Sequence, residues 1–547
     1  MTERSAPRPA VHERLRELAS GPPVEAAVIG GGINGCAIAA QAAAGGLRTA
    51  LFEATDFGFG TTWRSTKLIH GGLRYLEHRD VGLVFESLRE RAWLLKTRPH
   101  LVRPQRFVLP VLPWTRRPKW QLRAGLWIYD LLSYERALPA HRGLSRRRLG
   151  ELVPFVSGEH RGGFSFYDAR ALAPERLALE LALQAERHGA FIANHARVTR
   201  IEVVQGSVRS LRVEAGGEAI DIPASGVINA AGPWVDAVNR VADLPAPELL
   251  GVTRGTHIVV DPGRRLPREA ILSTARSDGR VLFAVPQDGL LLFGTTDLRY
   301  EGDPGDVRPT RAEVDYLLAE ARHLLPGLDI TLAQVRYAYA GLRPLQRVEG
   351  GPEAAITRRH EIIDHGASGG ARGLYSVVGG KLSAFRPLAR EAAKLFGAAV
   401  SPGLEDERPE TDWRSALRSS RLPGPARRHL RQYGRAIPEI LSLGGEPLGG
   451  SDAFVAGEVL FAASHEHAST LSDILMRRTG MAWNGYRGLE CHRDAARLAA
   501  TVLGWDKGEV KRQVAAFEAD VAYHLPVADS LPAVSNEPCT SASISKK

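Results

Sequence analysis

The chain has 547 residues, of which 44% are hydrophobic and 24% are charged, and its mean hydropathy is -0.16. This length allows about two to four domains, and the composition excludes a mostly disordered chain, a fibrous repeat and a polytopic membrane protein. The three cysteines, Cys36, Cys491 and Cys539, lie far apart and without CxxC spacing. They exclude a disulfide framework and a thiolate zinc site, so we expect no metal and a reducing, cytoplasmic location.

Basic residues outnumber acidic residues by 71 to 61, giving a net charge of +10, and 62 of the basic residues are arginine. The planar guanidinium binds phosphate and carboxylate through two parallel hydrogen bonds. The surplus fits acidic small-molecule substrates, an anionic membrane surface or nucleic acid, and it also fits an arginine-rich genome without functional meaning. No motif of a known nucleic-acid-binding fold is present, so we expect no nucleic-acid partner.

The hydrophobic pattern changes along the chain. Residues 1–22 are rich in proline and have no apolar signal-peptide segment, which predicts a flexible tail or a short helix. No apolar run reaches the roughly 18 residues of a membrane span. Strand-like runs alternate with helical stretches over residues 23–404, whereas residues 405–525 show helical patterns alone, at 456–478 and 491–503. The composition of residues 526–547 predicts a disordered tail. The clearest strands are residues 24–29, 49–53, 226–230, 257–260, 281–285 and 290–294.

A dinucleotide-binding motif follows the first predicted strand. The sequence GGGING at residues 30–35 opens an alanine-rich helix, and a second strand ends at Glu53. In this strand–turn–helix context Gly30 permits the tight turn, Gly32 admits a pyrophosphate and Gly35 permits close helix packing, while Glu53 is placed to bind ribose hydroxyls. The motif alone does not distinguish NAD from FAD, but its position at the start of the first domain favours FAD. The cofactor-binding residues predicted from it are Gly30, Gly32, Ile33, Asn34, Gly35 and Glu53.

Several longer stretches carry a family resemblance. Residues 60–76, GTTWRSTKLIHGGLRYL, closely resemble a signature of the FAD-dependent glycerol-3-phosphate dehydrogenases and oxidases. The resemblance extends over about residues 24–525, and one departure is Trp63, where that family usually carries a small residue. A bulky indole there is expected to alter packing near the flavin. Further matching stretches are residues 232–235 (GPWV), 254–260 (RGTHIVV), 294–297 (GTTD), 339–345 (YAGLRPL) and 379–382 (GGKL).

The resemblance implies an α/β fold. We expect a Rossmann-like FAD-binding domain of the glutathione-reductase and D-amino-acid-oxidase type, built from discontinuous segments of residues 23–404. A β-rich substrate domain is inserted in it at about residues 100–165 and 250–350, and residues 405–525 form an α-helical C-terminal domain. The remaining cofactor-binding residues that the resemblance implies are Thr61, Thr62, Ser65, Thr66, Gly71, Gly72, Val198, Ala231, Gly232, Gly380, Lys381 and Leu382.

The resemblance also implies a substrate site. Arg74, Arg343 and Lys381 would meet in one pocket, where three cations suit a doubly charged phosphate. Tyr75 is a further expected substrate contact. Oxidation of a secondary alcohol needs a base for the hydroxyl proton, and histidine suits this role because its pKa lies near neutral pH. His70 is our first choice and His257 the second, while Arg343 also polarises the substrate oxygen.

The implied reaction is FAD-dependent oxidation of sn-glycerol 3-phosphate to dihydroxyacetone phosphate, with electrons passed to quinone or another acceptor. Two alternatives stay open: a flavin amine oxidase of the sarcosine or glycine type, whose substrate carboxylate Arg343 would bind, and a non-enzymatic flavoprotein that docks at a membrane or partner. Three cations favour the phosphate substrate. The sequence also leaves a homodimer open.

Two further segments have competing interpretations. Residues 114–120, WTRRPKW, lead into an apolar helix at residues 122–132, a pattern typical of an interfacial membrane anchor but also of a buried helix with a basic cap. We expect the former, with the protein peripheral on the inner face of the cell membrane. His465-Glu466-His467 lacks HExxH spacing, so we interpret it as a polar helix face rather than a metal site.

Overall fold

The computed structural model describes residues 10–73, 80–133, 138–242, 247–348, 358–399 and 413–524. Its strands, in chain order, are β1 (Ala26–Ile29), β2 (Thr49–Phe52), β3 (Leu68–Ile69), β4 (Val102–Pro110), β5 (Arg142–Leu144), β6 (Gly163–Ala171), β7 (Phe191–Ala193), β8 (Arg197–Val204), β9 (Ser207–Ala215), β10 (Glu218–Pro223), β11 (Val227–Asn229), β12 (Leu250–Val260), β13 (Ala270–Thr274), β14 (Val281–Gln287), β15 (Leu290–Gly294), β16 (Leu298–Arg299), β17 (Val335–Gln346), β18 (Glu361–Asp364) and β19 (Leu374–Val378).

The α-helices, in chain order, are α1 (Val11–Ser20), α2 (Ile33–Ala44), α3 (Val81–Thr97), α4 (Lys119–Leu132), α5 (Arg146–Leu152), α6 (Pro174–Arg187), α7 (Val235–Arg240), α8 (Arg311–Leu324), α9 (Phe385–Leu395), α10 (Trp413–Ser419), α11 (Gly424–Leu430), α12 (Ile437–Leu443), α13 (Ala456–His465), α14 (His492–Leu503) and α15 (Lys507–Tyr523).

The first sheet has the strand order β18-β19-β11-β1-β2-β7, and all its pairings are parallel except that of β18 with β19. Its strands are buried on both faces because alternate residues point to two different cores. Val28 and Leu51 pack with α2, α6 and α9 on one face. Ala27 and Phe52 pack with α1 and the antiparallel sheet β8–β10 on the other face. This sheet is the Rossmann-like part of the fold.

The second sheet has ten strands, in a main path β16-β12-β15-β14-β13-β4-β6-β3 to which β17 and β5 add pairings. Its strands come from two parts of the chain, residues 68–171 and residues 250–346. Between them in sequence lie strands that belong to the first sheet. Ile258 and Phe293 point to the face covered by α8. Val259 and Tyr339 point to the opposite face, which packs against the C-terminal helices. This sheet therefore separates a helix-covered face from the face on which the domains meet.

The C-terminal region consists of α10–α15 and short 3-10 and π turns, and its described residues form no strand beyond an isolated bridge between Pro447 and Val455. The expected α/β architecture and the helical C-terminal region are confirmed. Residues 456–478 are not one helix, because α13 ends at His465 and residues 473–478 form a separate π-helical turn.

Part of the N-terminal segment forms a short helix, one of the two expectations for it. Residues 11–20 form α1, with Leu15 and Leu18 buried, and Arg14 donates to the carbonyl of Ile192 at 3.1 Å. The amphipathic pattern VHERLRELAS accounts for this helix. The predicted tail at residues 526–547 lies outside the described residues.

A buried set of six charged groups joins the C-terminal region to the Rossmann-like part. This interdomain ion cluster consists of Asp56, Arg176, Glu466, Asp473, Arg477 and Arg478.

Within the cluster, Arg478 donates from both terminal nitrogens to Asp56, each at 2.7 Å, and both side chains are fully buried. Arg477 bridges Asp56 and Asp473. Arg176 pairs with Glu466 at 2.6 Å. Glu466 is therefore a buried interdomain anchor, and the expected polar helix face at that position is wrong.

We expect Arg478→Met to lower the free energy of unfolding by about 3–5 kcal/mol, because it leaves part of the charge of Asp56 buried without a partner. The matched control is Arg147→Met, which removes an arginine side chain that is 90% exposed. Thermal unfolding followed by circular dichroism measures the effect. Equal melting temperatures for the two variants would contradict the prediction.

Candidate active site

An elongated cavity of about 1500 Å³ runs between the Rossmann-like sheet and the ten-stranded sheet. One end lies at the carboxyl ends of β1 and β2, next to the N-terminus of α2. Other parts of the wall come from β6, β12, β17 and the turn after β19. In α/β sheets ligands bind at the carboxyl ends of the strands, so the end at β1 and β2 is the expected place for a dinucleotide.

Each glycine of the first turn is glycine for a different structural reason. Gly30 has a φ of +106°, and a Cβ there would lie 2.7 Å from the carbonyl oxygen of Ala230. A Cβ on Gly35 would lie 1.8 Å from the carbonyl oxygen of Gly30. A Cβ on Gly32 would meet no protein atom closer than Thr62 Oγ1, at 3.5 Å, so the space beside Gly32 belongs to the cavity.

The polar groups at this end suit a dinucleotide. Glu53 Oε2 accepts a hydrogen bond from Gly31 N at 2.6 Å, and burial raises the pKa of the carboxyl. Asn34 lies in the wall with its Oδ1 buried and without a hydrogen-bond partner among the described residues. The N-terminal amides of α2 face the same space, where they favour an anion. The residues therefore fit the ribose and pyrophosphate of FAD.

Three cations lie in the part of the wall that includes β17 and the turn after β19: Arg343, Arg358 and Lys381. Arg343 donates to Asp297 Oδ1 at 2.9 Å, and Arg358 lies 3.6 Å from Asp297 Oδ2. Burial opposes the charge of Asp297, yet the two guanidinium groups hold its pKa below the usual value. Because the two arginines share one carboxylate, this part of the cavity carries a net positive charge, and protonated Lys381 adds to it.

Lys381 is partly shielded from solvent. Its Nζ donates to Ser87 Oγ at 3.1 Å, and burial, with the nearby Arg358, lowers its pKa to about 7. The charge of this lysine therefore depends on pH in the neutral range.

Two histidines lie in the cavity wall. Burial lowers the pKa of His70 to about 4, so its imidazole is neutral at pH 7 and can accept a proton. Burial and then Arg343 lower the pKa of His257 to about 3. The Nε2 of His257 lies 2.9 Å from Thr66 Oγ1, and its ring stacks on Tyr339 with centroids 5.0 Å apart. These contacts make His257 a structural partner of the Thr66 loop, which favours His70 as the base.

A buried network supports the segment that carries His70. Gly71 N donates to Tyr129 Oη at 2.8 Å, and this hydroxyl donates to Asp168 Oδ2 at 2.7 Å. Asp168 Oδ1 accepts from Arg91 at 2.6 Å, and Asp168 itself lines the cavity. Tyr129 lies on α4, so this helix is hydrogen-bonded to the backbone next to His70.

The structure brings most of the predicted residues to this cavity, but not all. Gly35 is a packing residue, as its role in the motif implies. The wall includes Gly72 and not Gly71, because Gly71 faces Leu88 and Tyr129. Arg74 and Tyr75 lie outside the described residues. The predicted residues in the wall are Gly30, Gly32, Ile33, Asn34, Glu53, Thr61, Thr62, Ser65, Thr66, His70, Gly72, Val198, Ala231, Gly232, His257, Arg343, Gly380, Lys381 and Leu382.

Several charged residues of the cavity wall were missed, among them Asp297, Arg358 and Asp168. Asp297 lies within the stretch at residues 294–297, and its acidic side chain among threonines and glycine was the available signal. Arg358 and Asp168 belong to no motif, and only the fold brings them to the cavity. Trp63 lies at the domain interface. Its ring stacks on Trp483 of the C-terminal region, with the ring centroids 4.4 Å apart.

The fold and cavity define a dinucleotide-binding oxidoreductase, and comparison with known proteins narrows this class. Residues 25–395 match the model of the FAD-dependent oxidoreductases, and residues 391–510 match the C-terminal domain of alpha-glycerophosphate oxidase. The chain therefore belongs to the FAD-dependent oxidoreductase family, within the group of glycerol-3-phosphate dehydrogenases that its relatives represent.

These relatives match over most of their length. A glycerol-3-phosphate dehydrogenase of Synechocystis is 36% identical over 89% of this chain and 94% of the relative. That of Pseudomonas aeruginosa is 36% identical over 83% and 91%. The structure of a Bacillus halodurans glycerol-3-phosphate dehydrogenase complexed with FAD superimposes with a TM-score of 0.75 at 24% identity, covering 95% of this chain and 99% of that one, and it supports the fold.

The space beside Gly32 gives a test of the cofactor end. We expect Gly32→Val to fold with a nearly unchanged melting temperature of the apoprotein but to lose most of its bound FAD, because its side chain enters the cavity. Gly35→Ala is the contrasting variant, because its Cβ meets backbone and should destabilise the fold itself. Flavin content after gel filtration and thermal unfolding measure both effects. Normal flavin content in Gly32→Val would contradict this placement.

Proposed function

We propose that the protein oxidises sn-glycerol 3-phosphate to dihydroxyacetone phosphate and passes the electrons to quinone or another acceptor. The observation that carries this proposal is that Arg343, Arg358 and Lys381 share one cavity with neutral His70 and with the residues that fit FAD. The names of relatives with 36% identity support the substrate.

The cations bind the phosphate. A phosphate dianion accepts charge-assisted hydrogen bonds from the two guanidinium groups, and Asp297 holds both of them in place before substrate arrives. Two net positive charges result when Lys381 is protonated, and they match the dianion. A carboxylate substrate of an amine oxidase would need fewer cations, so the amine-oxidase alternative is the weaker one.

The alcohol is oxidised at C2, and FAD would supply the hydride acceptor when bound. His70 accepts the proton of the 2-hydroxyl group, because burial keeps its imidazole neutral in the free enzyme. Negative charge on the substrate oxygen is stabilised by the nearby guanidinium groups. The network of Tyr129 and Asp168 fixes the backbone that follows His70.

The substrate is tested by anaerobic mixing of the holoenzyme with sn-glycerol 3-phosphate. We expect the visible band of oxidised flavin to bleach, and Arg343→Met to need about ten- to a hundredfold more substrate for this while retaining FAD. Bleaching by glycine or sarcosine instead would favour the amine oxidase. Flavin that none of these compounds reduces would favour the non-enzymatic alternative.

The pKa of Lys381 gives a pH prediction. Lysine is cationic below its pKa, so kcat/KM should fall as the pH rises through about 7 in the free enzyme. We expect Lys381→Arg to move this fall to a pH above 9 or so, because arginine stays protonated. Steady-state rates from acid to alkaline pH measure the effect. The same alkaline limb in both enzymes would remove Lys381 from phosphate binding.

We also propose that α4 seats the protein on an anionic membrane surface. Trp120, Trp127 and Leu131 are 68%, 62% and 77% exposed, and exposed Arg116 and Arg123 lie close by in sequence. No helix among the described residues is long and apolar enough to cross a bilayer. The cavity extends along α4, which would bring a lipid-soluble quinone near the cofactor.

Membrane seating is tested by sedimentation with phosphatidylglycerol vesicles. We expect the double variant Trp127→Ser and Leu131→Ser to bind vesicles at least about tenfold more weakly, because it removes two exposed apolar groups. The matched control is Val204→Ser with Leu443→Ser, two exposed apolar residues elsewhere. Equal sedimentation of both double variants would contradict the role of α4.

A further inference from the structure

A second concave region lies between the end of α3, the start of β4 and the C-terminal helices α10 and α11. This arginine groove has a volume of about 920 Å³ and is separate from the FAD cavity. Its described lining residues are Leu95, Pro99, Val102, Arg103, Pro104, Trp413, Arg414, Leu417, Arg418, Gly424, Arg427, Arg428 and Arg431. Six of these are arginines, contributed by both domains, and none of the described ones is acidic.

Three of the six arginines lack an acidic partner within the part of the chain that the structure describes. Among the described residues, Arg103, Arg427 and Arg431 have no ion pair within 4 Å, although Arg103 is half-buried. Burial, followed by the charge of Arg431, lowers the pKa of Arg103. Cations that are held together despite mutual repulsion gain free energy from an anion that binds between them.

An unpartnered buried donor points to the same ligand chemistry. Trp413 lines the groove, is 4% exposed, and its Nε1 has no hydrogen-bond partner among the described residues. Arg414 lies over its ring, 4.6 Å from the centroid. An indole N–H and guanidinium groups are all hydrogen-bond donors, so the groove offers donors to an oxyanion.

The shape of the groove favours a small molecule over a membrane. Val102, Trp413 and Leu417 form apolar parts of its lining and are at most 5% exposed, whereas elements that enter lipid present protruding apolar side chains. The volume lies within the range of small-molecule sites, which is about 300–1,000 Å³. We propose that the arginine groove binds a small organic phosphate with at least two phosphate groups and an apolar or aromatic body, such as a nucleoside diphosphate.

The test uses the FAD-loaded enzyme and ADP as the probe in isothermal titration calorimetry. We expect one-to-one binding that weakens as salt is raised. The double variants Arg103→Met with Arg431→Met, and Arg427→Met with Arg428→Met, should each bind ADP at least tenfold more weakly. The second pair is exposed and keeps the test valid if the first pair fails to fold. The matched control, Arg147→Met with Arg493→Met, removes two exposed arginines elsewhere and should bind normally.

Four outcomes would overturn the proposal. One is the absence of ADP binding. A second is binding that is lost in Arg343→Met but kept in the groove variants, which would place ADP in the substrate site. A third is a groove variant that loses binding to phosphatidylglycerol vesicles and not to ADP. The last concerns the five acidic residues at positions 405–412, which precede Trp413 in sequence. Binding that appears only after all five are changed to amides would make them the native counter-ions.

Discussion

The pairing of Asp56 with Arg477 and Arg478 is the constraint on which the arrangement of the two domains depends. Asp56 follows Glu53 by three residues, so the same loop carries the carboxylate predicted to bind ribose and the interdomain anchor. A buried carboxylate is costly unless it is paired, and here two guanidinium groups and the amide of Asn194 satisfy it. The C-terminal region thereby fixes the position of the loop that ends β2.

The whole interdomain ion cluster contains three carboxylates and three guanidinium groups, so its formal charge is zero. His195 adds a contact to Asp473 at 2.9 Å. Asp56, His195 and Asp473 bring their ligand atoms within 4.8 Å of one another, which resembles the start of a metal site. The arginines on Asp56 and Asp473 give those carboxylates a counter-charge from the protein itself, and their arrangement is that of a structural ion cluster. This neutral cluster contrasts with the positive part of the FAD cavity, where Asp297 faces two arginines.

The sequence predicts those features that depend on local spacing. The turn at residues 30–35 was predicted with separate roles for Gly30, Gly32 and Gly35, because strand, turn and helix follow each other directly in the chain. Strand β15 has the predicted bounds, while β12 extends seven residues before the predicted start at His257, where Thr and Gly interrupt the apolar run. The part of β12 before His257 is paired with β17, and local propensity does not show that so long a partner strand is present.

The site illustrates the same limit more sharply. Arg343 was identified within a long family motif, but Arg358 stands outside any motif, and the two meet at Asp297. Trp63 lies in the sequence among residues that the resemblance predicts to bind cofactor. Its side chain instead points away, because Trp483, Tyr339 and His524 form an aromatic pocket between the domains. Contacts between residues hundreds of positions apart depend on the fold, and a pattern read along one chain does not contain them.

Helix α4 lies between the protein surface and the part of the cavity next to His70. Its outer side exposes Trp127 and Leu131, while on its inner side Tyr129 is 2% exposed and bound to Gly71 and Asp168. An α-helix turns once in about 3.6 residues, so side chains two positions apart point to nearly opposite sides of the helix. The exposed apolar surface therefore belongs to the same helix that is hydrogen-bonded to the backbone next to His70. A displacement of α4 at the surface would also move that backbone.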